Sequence, residues 1–341
     1  MPPDHELSDT GDVIMRMRRP IFWMGVLLVG LVLAGFLDTL GGPKWYGFSE
    51  LWQPTSRLAA QVLWEIRVPR MLAALLVGLL LSVGGLLLQT ISHNPLADPS
   101  IIGVNAGANL ALIIGGLTGI TLTVLNAFWL AILGAMTAFL MIIALSLSKR
   151  GFDPLRLLLG GTVFSGFISS LSMALSLMTN TSQQFRVILV GGFSGTNYQQ
   201  VLLLGLVAIV VLVGVRLFAT AFTLLGLDQQ TTVGLGISVK HLMTIAIILI
   251  VLAAGSSVAV GGNIGFVGLG VPQMVNFLHP GSFKANVFPV AVCGGIFMLL
   301  ADWVAKTAIS SVELPLSALS AIVGGICLFI LVMVKQKVVT S

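Results

Sequence analysis

Charged residues are scarce in this sequence of 341 residues. Asp, Glu, Lys and Arg together make up 9% of the chain, whereas they make up about 25% of an average soluble domain. Apolar residues reach 57%. A soluble domain of this length needs a charged surface, so the composition excludes one and indicates a membrane protein.

Groups that perform chemistry are scarce as well. The two cysteines, Cys293 and Cys327, lie in apolar stretches and are interpreted as small core residues rather than as a disulfide, a metal site or a nucleophile. The sequence has no G-x-x-x-x-G-K-[ST] loop for a nucleotide, and its net charge of +5 is spread too thinly for a nucleic-acid surface. We therefore predict no catalytic residue, no metal ligand and no cofactor in this chain.

Long uncharged runs predict the number of membrane crossings. They cover residues 20–37, 71–97, 99–148, 157–185, 187–215, 241–283, 285–301 and 314–334. At about 20 residues per crossing, two of these runs hold two helices each and the other six hold one. The prediction is an all-α membrane protein of ten transmembrane helices. Residues 1–19 are predicted to form a loose cytoplasmic tail and 20–341 a single transmembrane domain, with no cleaved signal peptide.

The distribution of basic residues predicts the orientation. Both ends of the chain are basic and are expected in the cytoplasm, because cytoplasmic flanks of membrane helices are enriched in Lys and Arg: Arg16, Arg18, Arg19, Lys335 and Lys337. With ten crossings, 11 of the 17 Lys and Arg residues fall inside. Arg67, Arg70 and Lys306 are among those that fall outside, against this rule.

The segment Arg67-Val68-Pro69-Arg70 is predicted to start the second membrane helix. Proline suits the first turn of a helix, but a cation near a helix N-terminus costs about 0.3–1 kcal/mol. The two arginines are therefore either interfacial anchors for lipid headgroups or residues with a specific external role. Lys306 follows Asp302 by four residues, so the two side chains could simply pair with each other.

Breaks in the helical pattern predict irregular backbone at membrane depth. Asn94-Pro95 and Asp98-Pro99 end the second helix on the cytoplasmic side. The glycine-rich segments 191–195 and 261–272 can exist in a bilayer only where protein or a water-filled cavity covers them. Two amides in the apolar runs, Gln89 and Asn105, are candidate polar residues of a transport pathway; for Gln89 an interhelical hydrogen bond is the favoured alternative.

Four separated motifs resemble those of the FecCD-type permeases of ATP-binding-cassette importers, which take up iron–siderophore chelates, haem and cobalamin. The motifs are Arg67-Val68-Pro69-Arg70, Asn94-Pro95-Leu96-Ala97 with Gly103 to Ala108, Gly265-Phe266-Val267-Gly268-Leu269, and Ala301-Asp302 followed by Glu313-Leu314-Pro315. They stand in the family's order and at its spacing, from about residue 20 to 335. The resemblance implies a transport subunit without enzymatic activity of its own.

The resemblance also implies partners and roles. The partners are a second permease subunit, two cytoplasmic ATPases that use ATP and Mg²⁺, and an extracytoplasmic binding protein. Arg67, Arg70 and Lys306 would dock that binding protein. The ATPase would contact short cytoplasmic coupling helices between residues 225 and 237, through Leu227, Asp228, Gln229, Thr232, Gly234, Leu235 and Gly236. Leu96, Pro154 and Leu155 would narrow the cytoplasmic end of the pathway.

Several positions depart from the family pattern. Lys306 replaces an arginine, Asp228 and Gln229 replace a glycine and a glutamate, and Gln273 follows Pro272 where a histidine is usual. A tryptophan before Gly191 and a proline near Cys327 are absent. These departures favour a heterodimer in which the partner permease keeps the missing features. A stable, fully active permease purified from this chain alone would contradict that hypothesis.

Two other functions are weighed. An ion-coupled secondary transporter would need ionisable residues at mid-membrane, and the long runs lack them. A membrane enzyme using His93 and Asp98 would need a further catalytic group, and none is close in sequence. The expected cargo is an iron–siderophore chelate, with haem and cobalamin as alternatives, delivered across a bacterial inner membrane.

Overall fold

The computed structural model describes residues 6–100, 102–148, 151–152, 154–179, 189–226, 234, 238–309 and 312–340. The regular structure of these residues is helical apart from one pair of two-residue strands, β1 (Leu147–Ser148) and β2 (Gly151–Phe152), which pair antiparallel. The helices in chain order are α1 (Glu6–Leu40), α2 (Arg57–Gln61), α3 (Val68–Ser92), α4 (Val104–Leu117), α5 (Val124–Ser146), α6 (Pro154–Met178), α7 (Tyr198–Leu217), α8 (Ala219–Leu225), α9 (Val239–Gly261), α10 (Val267–Leu278), α11 (Phe283–Thr307) and α12 (Leu316–Thr340).

Seven helical segments within the described residues are long and apolar enough to cross a bilayer. Three shorter apolar helices accompany them: Val104–Leu117, Val267–Leu278 and Leu316–Ile326. A crossing needs about 20 residues, so length alone does not establish that the shorter helices span the membrane. The all-α membrane fold is confirmed, and the number of ten crossings stays a prediction.

The first helix begins earlier than the sequence suggested. Residues 6–19, which we expected to be a loose tail, are the start of α1. Extending an existing helix fixes one residue per added hydrogen bond and costs far less than nucleating a new one. The apolar segment from Phe22 to Leu40 therefore carries helical structure back into the polar residues that precede it.

The helix that carries Arg67 and Arg70 also begins before its predicted start at Arg67. It starts at Arg57, where the Ser56 side chain accepts a hydrogen bond from the Ala59 N–H, and continues to Ser92. Residues Val62–Arg67 form a π-helical turn that ends two residues before Pro69. A proline inside a helix removes an N–H and clashes with the carbonyl four residues earlier, and a widened turn relieves both problems. The two arginines therefore lie inside a helix and not at its N-terminus.

Helix α3 lies at the centre of the bundle and packs against α1, α7, α8, α9, α10 and α11. Two glycines on α3 allow the closest approaches. A Cβ atom at Gly78 would overlap the Gly294 carbonyl of α11, and one at Gly85 would overlap the backbone of Gly268 in α10. Small residues let membrane helices approach closely, so these two glycines set the distance of α3 from α11 and α10.

The glycine-rich segments were predicted to be irregular, and this is confirmed for residues 191–195 and 262–266, whereas residues 267–272 form the start of α10. Other parts of the chain cover the irregular backbone. Gly191, Gly192 and Gly195 have positive φ angles, which glycine tolerates without steric cost. The Gly192 N–H donates to the Gly261 carbonyl at the end of α9 over 2.9 Å, and Phe193 is fully buried. Irregular backbone is thus protected by protein, as the bilayer requires.

Candidate functional site

The sequence motifs assemble into two clusters at opposite ends of α3. The first, which we call the cation cluster, consists of Asp38, Arg67, Arg70, Asp302, Lys306 and Glu313. The second, which we call the amide cluster, consists of Gln89, Asp98, Asn105, Asn263 and Gln273. In both clusters, residues that are far apart in sequence form hydrogen bonds with one another. The motifs are therefore brought together by the fold.

Arg67 closes the C-terminus of α1. Its guanidinium donates to the carbonyl groups of Thr39 (3.1 Å), Leu40 (2.9 Å) and Lys44 (2.7 Å). Its guanidinium carbon also lies 4.7 Å from the centre of the Tyr46 ring. The last carbonyls of a helix have no partner within it and carry a partial negative charge, so a cation there is stabilising.

Arg70 is held by two carboxylates on two edges of its guanidinium group. Nε and Nη2 donate to Asp302 of α11 at 2.8 and 2.9 Å. Nη1 and Nη2 donate to Glu313, in the segment before α12, at 2.7 and 3.1 Å. Ser194 donates to Glu313 as well. The planar fork of arginine suits such paired contacts, and Arg70 thereby ties α3 to α11 and to the segment that leads into α12.

Lys306 is paired with Asp38 and, more weakly, with Asp302. Its Nζ atom lies 2.6 Å from an Asp38 carboxylate oxygen and 3.6 Å from Asp302, and it also donates to the Asp38 carbonyl. The expected pairing of Asp302 with Lys306 is present, but the shorter contact is to α1. Asp38 and Asp302 are fully buried, and a buried charge persists only when it is paired.

The three cations are therefore not free, outward-facing groups in this chain. Arg67, Arg70 and Lys306 are all buried, and each has partners inside the molecule, which differs from the expectation that they stand exposed for docking. The docking role itself stays a prediction. Sequence reasoning missed Asp38, although it is the acid that ends the uncharged run 20–37 and could have been noticed as a buried partner.

Gln89 compensates for a proline in α10. In an α-helix the Gly268 carbonyl would accept from the N–H of residue 272, but Pro272 has none. The Gln89 side chain supplies the missing donor, with Nε2 at 3.1 Å from the Gly268 oxygen. Gln273 in turn donates to the Gln89 side-chain oxygen at 2.8 Å. Gln89 therefore forms the interhelical hydrogen bond, from α3 to α10, that was the favoured alternative to a role in a transport pathway.

We expect Gln89→Met to destabilise the protein by about 1–3 kcal/mol, the cost of leaving a buried carbonyl without a donor. Adding Pro272→Ala should restore much of the loss, because the new N–H at position 272 can bond to Gly268. Thermal unfolding of the purified variants in detergent measures both effects. If the double variant is no more stable than Gln89→Met, the assigned role of Gln89 is wrong.

Asp98 caps α10 from the neighbouring loop. Helix α3 ends at Ser92, the next residue, His93, has a φ of 49°, and Asp98 is buried in the loop that follows. Asp98 accepts from the Ser100 N–H at 2.7 Å and from backbone at Leu269 near the start of α10. Burial raises the pKa of Asp98, and these hydrogen bonds oppose that rise. The N-P-L-A-D-P and G-F-V-G-L motifs are therefore one structural unit.

Asn105 joins the same unit near the start of α4. It is buried, and its Nδ2 atom donates to the Asn263 side chain at 2.8 Å and to the Ile264 carbonyl at 3.3 Å. Asn105 thus holds the irregular turn before α10, as Gln89 and Asp98 hold the first turns of α10. Its place in a transport pathway stays a prediction.

A cavity of about 480 Å³ opens beside Gln89. Its walls come from α3, α8, α10 and α11. Its polar groups are the imidazole of His93 and several amides and hydroxyls, among them Gln89, Asn94, Thr223, Gln273, Asn276, Ser282 and Asn286. Among the predicted gate residues, Leu96 is exposed in the loop at this end of α3. Pro154 begins α6, while the side chains of Pro154 and Leu155 lie outside the described part of the structure.

The predicted coupling segment is only partly within the described residues. Gly234 is helical and exposed, whereas Leu227, Asp228, Gln229, Thr232, Leu235 and Gly236 lie outside them. The short helix α8 leads into this segment and is joined to the start of α11, where the Lys284 N–H donates to the Thr223 hydroxyl at 3.2 Å. The coupling segment is thus the continuation of α8, which lines the cavity.

Comparison with known proteins agrees with this architecture. The chain is 31% identical over 330 residues to the vitamin B12 import system permease protein BtuC of Citrobacter koseri, covering 94% of this chain and 97% of that protein. It is 32% identical over 314 residues to the iron(3+)-hydroxamate import system permease protein FhuB of Bacillus subtilis, covering 88% and 80%.

Solved structures agree as well. A chain from a metal-chelate type ABC transporter in an inward-facing conformation superposes with a TM-score of 0.80 at 27% identity, over 92% of this chain and 99% of that one. The PsaBC structure from Streptococcus pneumoniae shares the fold, with a TM-score of 0.59 at 13% identity. The model of the FecCD transport family matches residues 27–335. With nearly its whole length matched, the chain belongs to the FecCD transport family and is a multi-pass membrane permease.

Proposed function

We propose that this chain is the permease subunit of an ATP-binding-cassette importer that moves an iron–siderophore chelate into a bacterial cell. The observation that carries the proposal is the family match over residues 27–335, supported by relatives that align along almost their whole length. The chain performs no chemistry on its cargo. Its contribution is a membrane passage whose two ends open alternately.

The proposed assembly has two permeases, two ATPases and a binding protein. We place both termini of this chain in the cytoplasm of a bacterium, so that the cation cluster faces the extracytoplasmic side. The binding protein docks there, near Arg67, Arg70 and Lys306. ATP and Mg²⁺ bind the ATPase partners. The second permease is proposed to be a different chain, because of the departures at Gln273 and near Gly191.

The proposed mechanism is alternating access. Closure of the ATPases moves the coupling segment 225–237, which follows α8, and this displaces the backbone around Leu96 and the start of α6 at Pro154 and Leu155. The amides at Gln89 and Asn105 are proposed to bias the neighbouring passage towards polar cargo. The contact between α8 and α11 supports this route, because it joins the coupling segment to the wall of the amide-lined cavity.

Cobalamin is the second candidate cargo. The match to BtuC, named for vitamin B12 import, covers 94% of this chain, and the match to FhuB, named for iron(3+)-hydroxamate import, covers 88%, at nearly the same identity. Both cargoes are large metal chelates. A passage lined mainly by amides and hydroxyls accommodates either, since the charge and shape of each chelate would be recognised mainly by the binding protein.

Uptake by whole cells tests the proposed function. We expect cells without this chain to lose uptake of one ⁵⁵Fe-labelled siderophore class and to regain it with the wild-type gene, while uptake of ⁵⁷Co-cobalamin is unchanged. Deleting the partner ATPase should abolish the same uptake. Loss of cobalamin uptake alone would replace the proposed cargo, and uptake of every chelate at wild-type rates would refute the importer.

A further inference from the structure

The two carboxylates on Arg70 differ in their access to solvent. Asp302 is fully buried, whereas the side chain of Glu313 is 49% exposed. Both bind the guanidinium through two hydrogen bonds, Asp302 from the α11 side and Glu313 from the surface. The outer edge of Arg70 is thus covered by one side chain that can swing into solvent.

The cation cluster holds as many acidic as basic side chains only with Glu313 in place. Its three basic side chains are Arg67, Arg70 and Lys306, and its three acidic side chains are Asp38, Asp302 and Glu313. When Glu313 leaves, three cations face two buried acids. The freed edge of Arg70 then presents two N–H donors in one plane beside a net positive charge, which is the arrangement that binds a carboxylate with two parallel hydrogen bonds.

The other two cations offer no comparable edge. Arg67 donates to backbone carbonyls of the α1 terminus, which cannot move away without unwinding that helix. Lys306 is held by Asp38 and Asp302, both fully buried on membrane helices. Within the cation cluster, exchange of a partner is therefore confined to Arg70.

We propose that Glu313 occupies the place of an acidic side chain of the docking partner and is displaced by it when the binding protein arrives. This inference rests on the proposed function, since it assumes delivery by a binding protein. The partner's carboxylate takes the outer edge of Arg70, and Glu313 turns into solvent. Because one carboxylate replaces another on the same edge of Arg70, the hydrogen bonds lost to Glu313 are regained from the partner, and the exchange costs little. A partner without a correctly placed acid cannot make this replacement.

Protonation does not open this site at neutral pH. Partial burial raises the pKa of Glu313, but hydrogen bonds from Arg70 and Ser194 outweigh it and hold the pKa below its ordinary value. Glu313 therefore stays ionised, and another anion has to replace it. The ionised groups around it are Arg70, which it contacts, and Lys306, whose charge acts in the same direction.

Chemical modification tests the proposal without the binding protein. In the assembled transporter in lipid nanodiscs, Glu313→Gln should raise the rate at which phenylglyoxal modifies Arg70 several-fold, measured by peptide mass spectrometry. Arg57, which is exposed on the same side, is the internal standard. Glu65→Gln is the matched control, because Glu65 is an exposed acid at the same end of α3 that lies outside the cation cluster.

Affinity for the binding protein that supports uptake gives the second measurement. Glu313→Gln should lower its Kd several-fold relative to Glu65→Gln, and Glu313→Asp should fall between wild type and Glu313→Gln. Equal effects of Glu313→Gln and Glu65→Gln would mean that only the surface charge matters and would overturn the proposal. The proposal would also be overturned if phenylglyoxal modified Arg70 no faster in Glu313→Gln than in the wild type. Uptake that needs no binding protein would instead refute the proposed function, whatever the reactivity of Arg70.

Discussion

Replacing Asp302 by alanine is expected to leave little folded protein. Asp302 is fully buried and holds the inner edge of Arg70 through two hydrogen bonds. Removing one partner of a buried ion pair typically costs about 3–5 kcal/mol, which is a large part of the total stability of most proteins. Arg70 would keep only the half-exposed Glu313, so its inner edge would be buried without an acceptor. The monodisperse fraction after size-exclusion chromatography in detergent, with thermal unfolding of whatever is recovered, measures the loss.

Two variants test the physical reason for that loss. Glu313→Gln removes the half-exposed partner of the same arginine and should cost less than about 1 kcal/mol. The double variant Arg70→Met/Asp302→Leu removes both charges of the buried pair and should recover much of the folded protein, because apolar groups of similar volume often replace a buried ion pair without loss. If the double variant is as poorly folded as Asp302→Ala, the buried inner edge of Arg70 without an acceptor is not the cause.

Gly85→Ala is expected to disrupt the contact between α3 and α10. A Cβ atom at position 85 would overlap the Gly268 backbone, and neither backbone can move without displacing Gln89 and Asp98 from their hydrogen bonds. Inserting atoms into a well-packed core typically costs about 1–3 kcal/mol, and a clash between two backbones belongs at or above the upper end of that range. Thermal unfolding should shift down by several degrees or more.

Gly84→Ala provides the matched control. It is the same change one residue earlier on the same helix, and its Cβ atom would meet the Ala253 Cβ at 3.4 Å, an ordinary contact. Because alanine favours a helix by up to about 1 kcal/mol over glycine, this variant should be neutral or slightly more stable. If both variants lose stability equally, helix α3 is sensitive to any added volume, and the contact with Gly268 is not special.

The helical architecture follows from the sequence because few charges can enter a bilayer. The uncharged runs located the apolar helices, and the glycine-rich segments near Gly191 and Gly262 were correctly predicted as irregular. The start of the helix through Arg70 was predicted wrongly. Pro69 suggested a first turn, but a π-helical turn accommodates the proline and lets the helix begin at Arg57.

The internal partners of the cations could not be derived from the sequence. Arg70 is separated by 232 residues from Asp302 and by 243 from Glu313, and no local pattern links such distant positions. Likewise, nothing near Gln89 in sequence indicates that it serves the Gly268 carbonyl. The local pair Asp302 and Lys306 was foreseen because the two are four residues apart on one helix face.

Helix α3 also makes the two clusters mechanically dependent on each other. Arg70 and Gln89 lie on one uninterrupted helix, and 19 residues at about 1.5 Å each separate them by roughly 28 Å. A tilt of about 5° around the Gln89 end would move Arg70 by roughly 2.5 Å on a lever of that length. The Arg70–Glu313 hydrogen bond is 2.7 Å long, so a displacement of Arg70 by a similar distance would break it. A small rotation of α3 at its Gln89 end is therefore sufficient to separate Arg70 from Glu313.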